Sequence, residues 1–168
     1  VARAISPMEP GVVTFGTIQG GRANNVIADS VKLHGTLRYF RDEVREQLRR
    51  AIHGAFTALE AQGATVEVKF GPGYPPVVNN AGVTRVVRRV AETVAGADAV
   101  LPMERWMAAE DFAFIAREAP GCFVWVGAAL PEVREHHHPR FDIDESVLPL
   151  DAALLAGSAI ALLEERGR

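Results

Sequence analysis

Cysteine is all but absent: Cys122 stands alone, so no disulfide can form within the chain. That excludes a disulfide-stapled secreted scaffold and sets a reducing cytoplasm as the expected compartment. Cys122 lies in the apolar run GCFVWVGA, where a buried inert thiol is expected rather than a nucleophile. A strong charge of one sign is missing too. A formal net charge of −3 gives no bulk attraction to nucleic acid or to an anionic membrane, so neither is an expected partner. No apolar run reads as long enough to span a bilayer, and no charged-then-apolar leader opens the chain. Internal repeats and low-complexity stretches are also lacking. So is an initiator methionine: the chain opens VARAISPMEPG, where VARAI reads as the end of a helix, and the expectation is a fragment of a longer polypeptide.

What is present is the composition of a globular protein, 48% hydrophobic and 23% charged over 168 residues. That length makes one ordinary domain or two small ones. After the proline-marked break SPMEPG, residues 12–21 read as a strand ending in a glycine turn. Residues 31–40 alternate Val31, Leu33, Gly35, Leu37 and Tyr39 against polar neighbours, the period of a half-buried strand. Over 41–63, Val44, Leu48, Ile52, Phe56 and Leu59 recur at helical spacing, and Gly63 is placed to end the helix. TVEVKF (65–70) alternates as a further strand. GPGYPPVVNN (71–80), dense in Pro, Gly and Asn, marks a domain boundary.

Beyond the boundary, 81–96 reads as a helix with a valine face, 110–119 as a short helix, and 146–167 as an unusually apolar closing helix. CFVWVGA (122–128) has the pattern of a strand covered on both faces. One fully buried strand among several helices is too little sheet to close a core, which again points to missing chain.

Three places carry groups able to do chemistry. REHHHPRFDIDE (134–145) holds three adjacent histidines followed by acidic residues. Imidazole is the commonest metal ligand at neutral pH, but neighbouring side chains in an extended segment alternate in direction. One or at most two of them can converge on an ion, and a solvated turn is the alternative. A catalytic metal centre also needs further ligands. In MAAEDFAF, Glu110 and Asp111 read either as a helix N-cap with a dipole-stabilising neighbour or as a carboxylate facing the same cleft as the histidines. In GGRANNVIADSVKLHGTLR, Asn24, Asn25 and Arg38 are either turn and strand-surface residues or, for Arg38, a fork of donors for a substrate carboxylate. The GG pair lacks the spacing of a phosphate-binding loop.

Taken together and in order, GTIQGGRANNVIADSVKLHGTLRYF, MAAEDFAF, PGCFVWVGA and HHHPRFDIDESVLPLDAALLAGSAIALL resemble the dinuclear-metal amidohydrolases. These include hippurate hydrolases, N-acyl-amino-acid amidohydrolases and plant auxin-conjugate hydrolases. The resemblance runs over essentially the whole chain and matches only the carboxyl-terminal part of such an enzyme. It implies an α/β fold: an inserted α+β lid that also pairs two subunits, here 1–75, then the last segment of the catalytic domain, here 76–168.

By the same resemblance His137, in His137-His138-Pro139-Arg140-Phe141, matches the family's last metal ligand, with His136 and His138 as neighbours near the active site. Asn25 and Arg38 match lid positions that hold the substrate carboxylate, and Glu110 matches a cleft-facing acid near the metals. Ala28 stands where proline is usual, and MAAEDF has alanine where glycine or serine is common. The resemblance also implies two divalent ions, zinc or manganese, per complete site, a small N-acyl amino acid as substrate, and a homodimer. The remaining ligands and the general-base glutamate are expected upstream of this chain, so no catalytic residue is assigned in it and it alone is expected to be inactive. Two rivals remain: a non-catalytic carboxylate-binding or dimerising module, and one chain of a split enzyme.

Overall fold

A computed structural model describes residues 4–167. The chain resolves into two compact units, one holding the residues up to Pro76 together with Trp106–Glu110, the other Val77–Arg105 and Asp111–Arg168. Of the helix end expected at 1–5, residues 1–3 lie outside the described residues. Ala4 and Ile5 form a bend and not a helix.

In the first unit, β1 (Gly11–Gly20) and β2 (Val31–Tyr39) form an antiparallel hairpin, both close to the strands expected from sequence. The register runs from Gly11 opposite Tyr39 to Gly20 opposite Val31, and slips by one residue between Phe15 and Thr17. Gly16 is the extra residue. The slip keeps Phe15 and Ile18 on one face with Gly35 and Leu33, because residues directly opposite share a face. Gly35 has no substitute here, since a Cβ would collide with the Thr14 carbonyl and with the Phe15 ring.

Across this face lies α1 (Asp42–Thr57), burying Val44, Leu48 and Ile52. Full burial of a side chain such as Leu48 contributes about 1.5–3 kcal/mol. Gly11 lets the helix come close, because a Cβ there would meet Leu48 at 3.1 Å and Val44 at 3.3 Å. Phe56 closes edge-on against Phe15, with ring centroids 5.6 Å apart. The helix is shorter than expected: after Thr57 it tightens into a 3-10 turn, Ala58–Gln62, which Gly63 ends at φ 88. Thr57 donates its hydroxyl to the His53 carbonyl at 3.0 Å, the local competition that disturbs a last helical turn.

Ten strand residues span about 34 Å, whereas the sixteen of α1 span about 24 Å, so the helix covers one end of the hairpin only. The half-buried alternation expected of β2 therefore fails at the far end. Val31 is 55% and Ile18 is 69% exposed, while Leu37 and Tyr39 are half-buried.

In the second unit, α2 (Ala81–Ala95) packs along α4 (Leu148–Arg166). The contact is close at Gly157, where a Cβ would meet Val90 at 2.9 Å, and an Arg89–Glu165 ion pair ties the two helices at the surface. Val86 and Val87 are the buried residues of α2, and Ala113 is that of α3 (Phe112–Glu118). Much of the apolar surface of α4 is uncovered, with Leu155 75% and Leu163 69% exposed. By length and composition alone Glu145–Glu165 qualifies to cross a bilayer, which corrects the expectation that no run reaches that length. The core helix of a soluble protein passes the same test, and α4 packs along α2.

Two expected strands are absent. Residues 65–70 and 122–128 carry no strand assignment, and the hairpin is the whole of the sheet among the described residues. A strand exists through its ladder, and alternation or apolarity without a neighbouring strand does not make one. What holds 121–123 is a pair of side-chain and backbone bonds from the boundary segment. Asn79 donates from its amide nitrogen to the Phe123 carbonyl at 2.9 Å and accepts from the Phe123 N–H at 2.8 Å, imitating one rung of an antiparallel ladder. The Asn80 N–H bonds the Gly121 carbonyl at 2.8 Å.

Candidate functional site

The three histidines sit on two successive tight turns. The His138 N–H bonds the Glu135 carbonyl at 3.1 Å and the Phe141 N–H bonds the His138 carbonyl at 2.9 Å. His137 is the third residue of the first turn and takes φ 69, among the described residues the one positive φ outside glycine. That position of a type II turn is normally given to Gly or Asn, because a Cβ in the left-handed region crowds the backbone. A histidine held there is the kind of local strain that collects at functional sites.

The neighbours are occupied. His138 accepts the Arg140 N–H on Nδ1 at 3.1 Å, which puts its proton on Nε2 and ties the ring to the turn. His136 lies edge-on against Phe141, centroids 5.4 Å apart. Arg134 closes the loop by donating to the Arg140 carbonyl at 2.8 Å. Among the described residues nothing holds the exposed His137 imidazole. Downstream, hydrogen bonds from the Ser146 side chain and then its backbone N–H hold Asp144 below the usual carboxylate range. The charge that caps the 145–147 turn therefore persists above the ordinary aspartate value and is lost only as pH falls through the lowered one.

Arg38 lies in the first unit and lines a cleft of about 370 Å³, together with Tyr39, Arg45, Arg49, Phe70 and Met107. Its guanidinium donates to the Met107 carbonyl at 2.8 Å, in the same MAAEDF segment that carries Glu110. Asn25 does not line this cleft. It stands in the exposed loop joining β1 to β2, beyond Val31, while Arg38 is seven residues down the strand, about 24 Å away along β2. One chain thus leaves the two expected carboxylate-holding residues apart.

Glu110 is half-buried and belongs to the first unit, and the histidines to the second. Asp111 stands at the N-cap position of α3, but without the capping bond. Its backbone is already helical, at φ −75 and ψ −22, so the side chain makes no cap hydrogen bond. Cys122 is half-buried, with the Thr84 hydroxyl donating to its sulfur at 3.5 Å. The roles of Arg45 and Arg49 were not drawn from sequence, although both stand one turn apart on a helix that follows Arg38 directly.

Among the described residues no three His, Cys, Asp or Glu side chains gather to hold a metal ion. A catalytic zinc centre needs three protein ligands. The described residues therefore do not by themselves make up such a centre.

Comparison with known proteins places the chain in a family. YhaA of Bacillus subtilis is 37% identical over 164 residues, covering 95% of this chain and 41% of its own length. The N-acetyl-L-cysteine deacetylase of the same organism is 33% identical over 165 residues, covering 98% of this chain and 39% of its own. Among solved structures, the Bacillus subtilis YXEP protein, a dinuclear metal binding peptidase from the M20 family, aligns with a TM-score of 0.79 and 30% identity. It is matched over 97% of this chain and 45% of its own length. The chain thus spans about two-fifths of the length of the curated relatives it matches. The model of peptidase family M20/M25/M40 matches residues 5–160, nearly end to end, and the chain belongs to that family.

Proposed function

We propose that this chain is part of a metal-dependent amidohydrolase that cleaves N-acyl amino acids to a carboxylic acid and an amino acid. The observation that carries the reading is His137. The family motif falls on the one histidine of three whose side chain is unengaged among the described residues, and its backbone is held in a conformation histidine adopts only at a cost. His137 supplies one metal ligand, and the other ligands and the general base come from outside the described residues. When two divalent ions, zinc or manganese, are bound, they supply Lewis-acid polarisation of the amide carbonyl and an acidified water. Within this chain, Arg38 binds the free carboxylate of the amino-acid half, with the Met107 carbonyl fixing the direction of its fork. Family membership and the relative named as an N-acetyl-L-cysteine deacetylase support an N-acyl amino acid as the substrate, and hippurate is the representative we propose. The chain alone is inactive on this reading.

Residues 1–75 act as the lid, 76–168 as the end of the catalytic domain, and the lid pairs two copies in the cytoplasm, off membranes and nucleic acid. Among the described residues neither outer edge of the hairpin pairs with another strand, and Ile18 and Val31 are exposed at its tip. The separation of Asn25 from Arg38 supports the pairing, since one carboxylate can meet both only if they come from different copies. The test is hydrolysis of N-acyl amino acids by the enzyme carrying this chain, supplied with zinc or manganese. Arg38→Ala is expected to raise KM about tenfold or more for substrates with a free α-carboxylate, about 1.4 kcal/mol of binding. An equal rise for substrates lacking that group contradicts the assignment.

A further inference from the structure

The cleft that holds Arg38 is more basic than one carboxylate requires. Arg38, Arg45, Arg49 and Lys69 all line it, and no Asp or Glu does. Arg45 and Arg49 stand one turn apart on α1, both half-buried, and each lies over an aromatic ring of the cleft wall. The Arg45 guanidinium is 5.9 Å from the Tyr39 ring centre, and that of Arg49 is 4.7 Å from the Phe70 ring centre. Stacking of this kind fixes the plane of a guanidinium and leaves its edge donors to bond. Arg45 gives one donor to the Pro72 carbonyl at 3.3 Å. Both arginines approach the carboxylate of Glu46, at 3.9 Å and 3.3 Å, but Glu46 does not line the cleft. Lys69 is paired with Glu67 at 2.8 Å and largely exposed, so it adds field rather than a fixed contact. With five N–H donors on each guanidinium, Arg45 and Arg49 retain donors for an anion in the cleft.

We propose that Arg45 and Arg49 form a second anion subsite, selecting substrates whose amino-acid half carries a side-chain carboxylate besides the one held by Arg38. This rests on the reading of Arg38 given above, and its test separates the two. N-acetyl-L-glutamate and N-acetyl-L-glutamine differ at the side chain only by charge and one polar group. Their binding to the metal-free enzyme that carries this chain is measured by calorimetry or by NMR titration. The glutamate compound is expected to bind about tenfold tighter, the scale of one charge-assisted contact.

Arg49→Ala is expected to erase that preference while moving the glutamine compound less than twofold. Phe70→Leu, which keeps the arginine and removes the ring beneath it, is expected to reduce the preference about two- to fivefold. Arg50→Ala, on the exposed side of the same helix and outside the cleft lining, is expected to preserve it. Equal affinity for the two compounds overturns the proposal. So does a preference that survives Arg49→Ala, Arg45→Ala and Phe70→Leu, or one that Arg50→Ala abolishes as well. Arg38→Ala is expected to weaken both compounds alike. A glutamine affinity unchanged by Arg38→Ala would refute the reading of Arg38, whereas a retained preference in that variant would uphold the subsite.

Discussion

His137 sets a backbone cost against a chemical use. The left-handed φ costs an L-residue about 1–2 kcal/mol and costs glycine almost nothing. His137→Gly is therefore expected to raise stability against urea by about 1 kcal/mol and to lose one of the two metal ions at the same time, whereas His137→Ala keeps the strain and gains nothing. Urea melts of the three proteins check this. A glycine variant no more stable than the alanine variant would mean that the turn carries no strain worth relieving. The family resemblance singles out position 137 by its His-x-Pro-x-Phe motif, but the positive φ there is not encoded in that spacing. Nor are the contacts of its neighbours: the bond from the Arg140 N–H to His138 Nδ1 depends on a turn geometry that no spacing rule encodes.

Among the elements, the hairpin and the helices could be read in advance, because each shows its own period. Val44, Leu48 and Ile52 mark the buried side of α1, and the valines of α2 do the same. The two failed strands share one physical cause. TVEVKF and CFVWVGA have strand-like side chains, but a strand is a relation between neighbours, and no neighbour pairs with either among the described residues. Asn79 and Asn80 show what replaces it. Read from sequence they are boundary residues, whereas the structure uses one as a rung and the other as a helix cap. Asn80 accepts from the N–H groups of Gly82 at 2.9 Å and Val83 at 3.1 Å. Asn80→Ala is expected to cost about 1 kcal/mol, the usual loss of an N-cap. Asn79→Ala, which orphans the N–H and carbonyl of Phe123, is expected to cost a similar amount and to speed amide exchange at Phe123. Unchanged exchange there would contradict the rung.

On the scale of the whole molecule, uncovered apolar side chains include Ile18 at the hairpin tip and Leu155 and Leu163 along α4. On the proposed reading the hairpin tip meets a second copy. Ile18→Asp is accordingly expected to turn a dimer into a monomer in sedimentation experiments, with little change in stability, since the side chain is exposed. A dimer that survives this change would place the pairing surface elsewhere. The partial site is legible in the same terms. On the proposed reading, with His137 as one metal ligand and Arg38 as the carboxylate-binding arginine, the chain is the part of an enzyme that completes a centre.

The central claim is that His137 completes a two-metal centre. It is tested most directly by counting metals per protomer in the enzyme that carries this chain, with and without His137→Ala, by inductively coupled plasma mass spectrometry on desalted protein. The account predicts two zinc or manganese ions falling to one, with hydrolysis of N-acyl amino acids nearly abolished. Two ions retained, with activity within a few-fold of the parent, would contradict it.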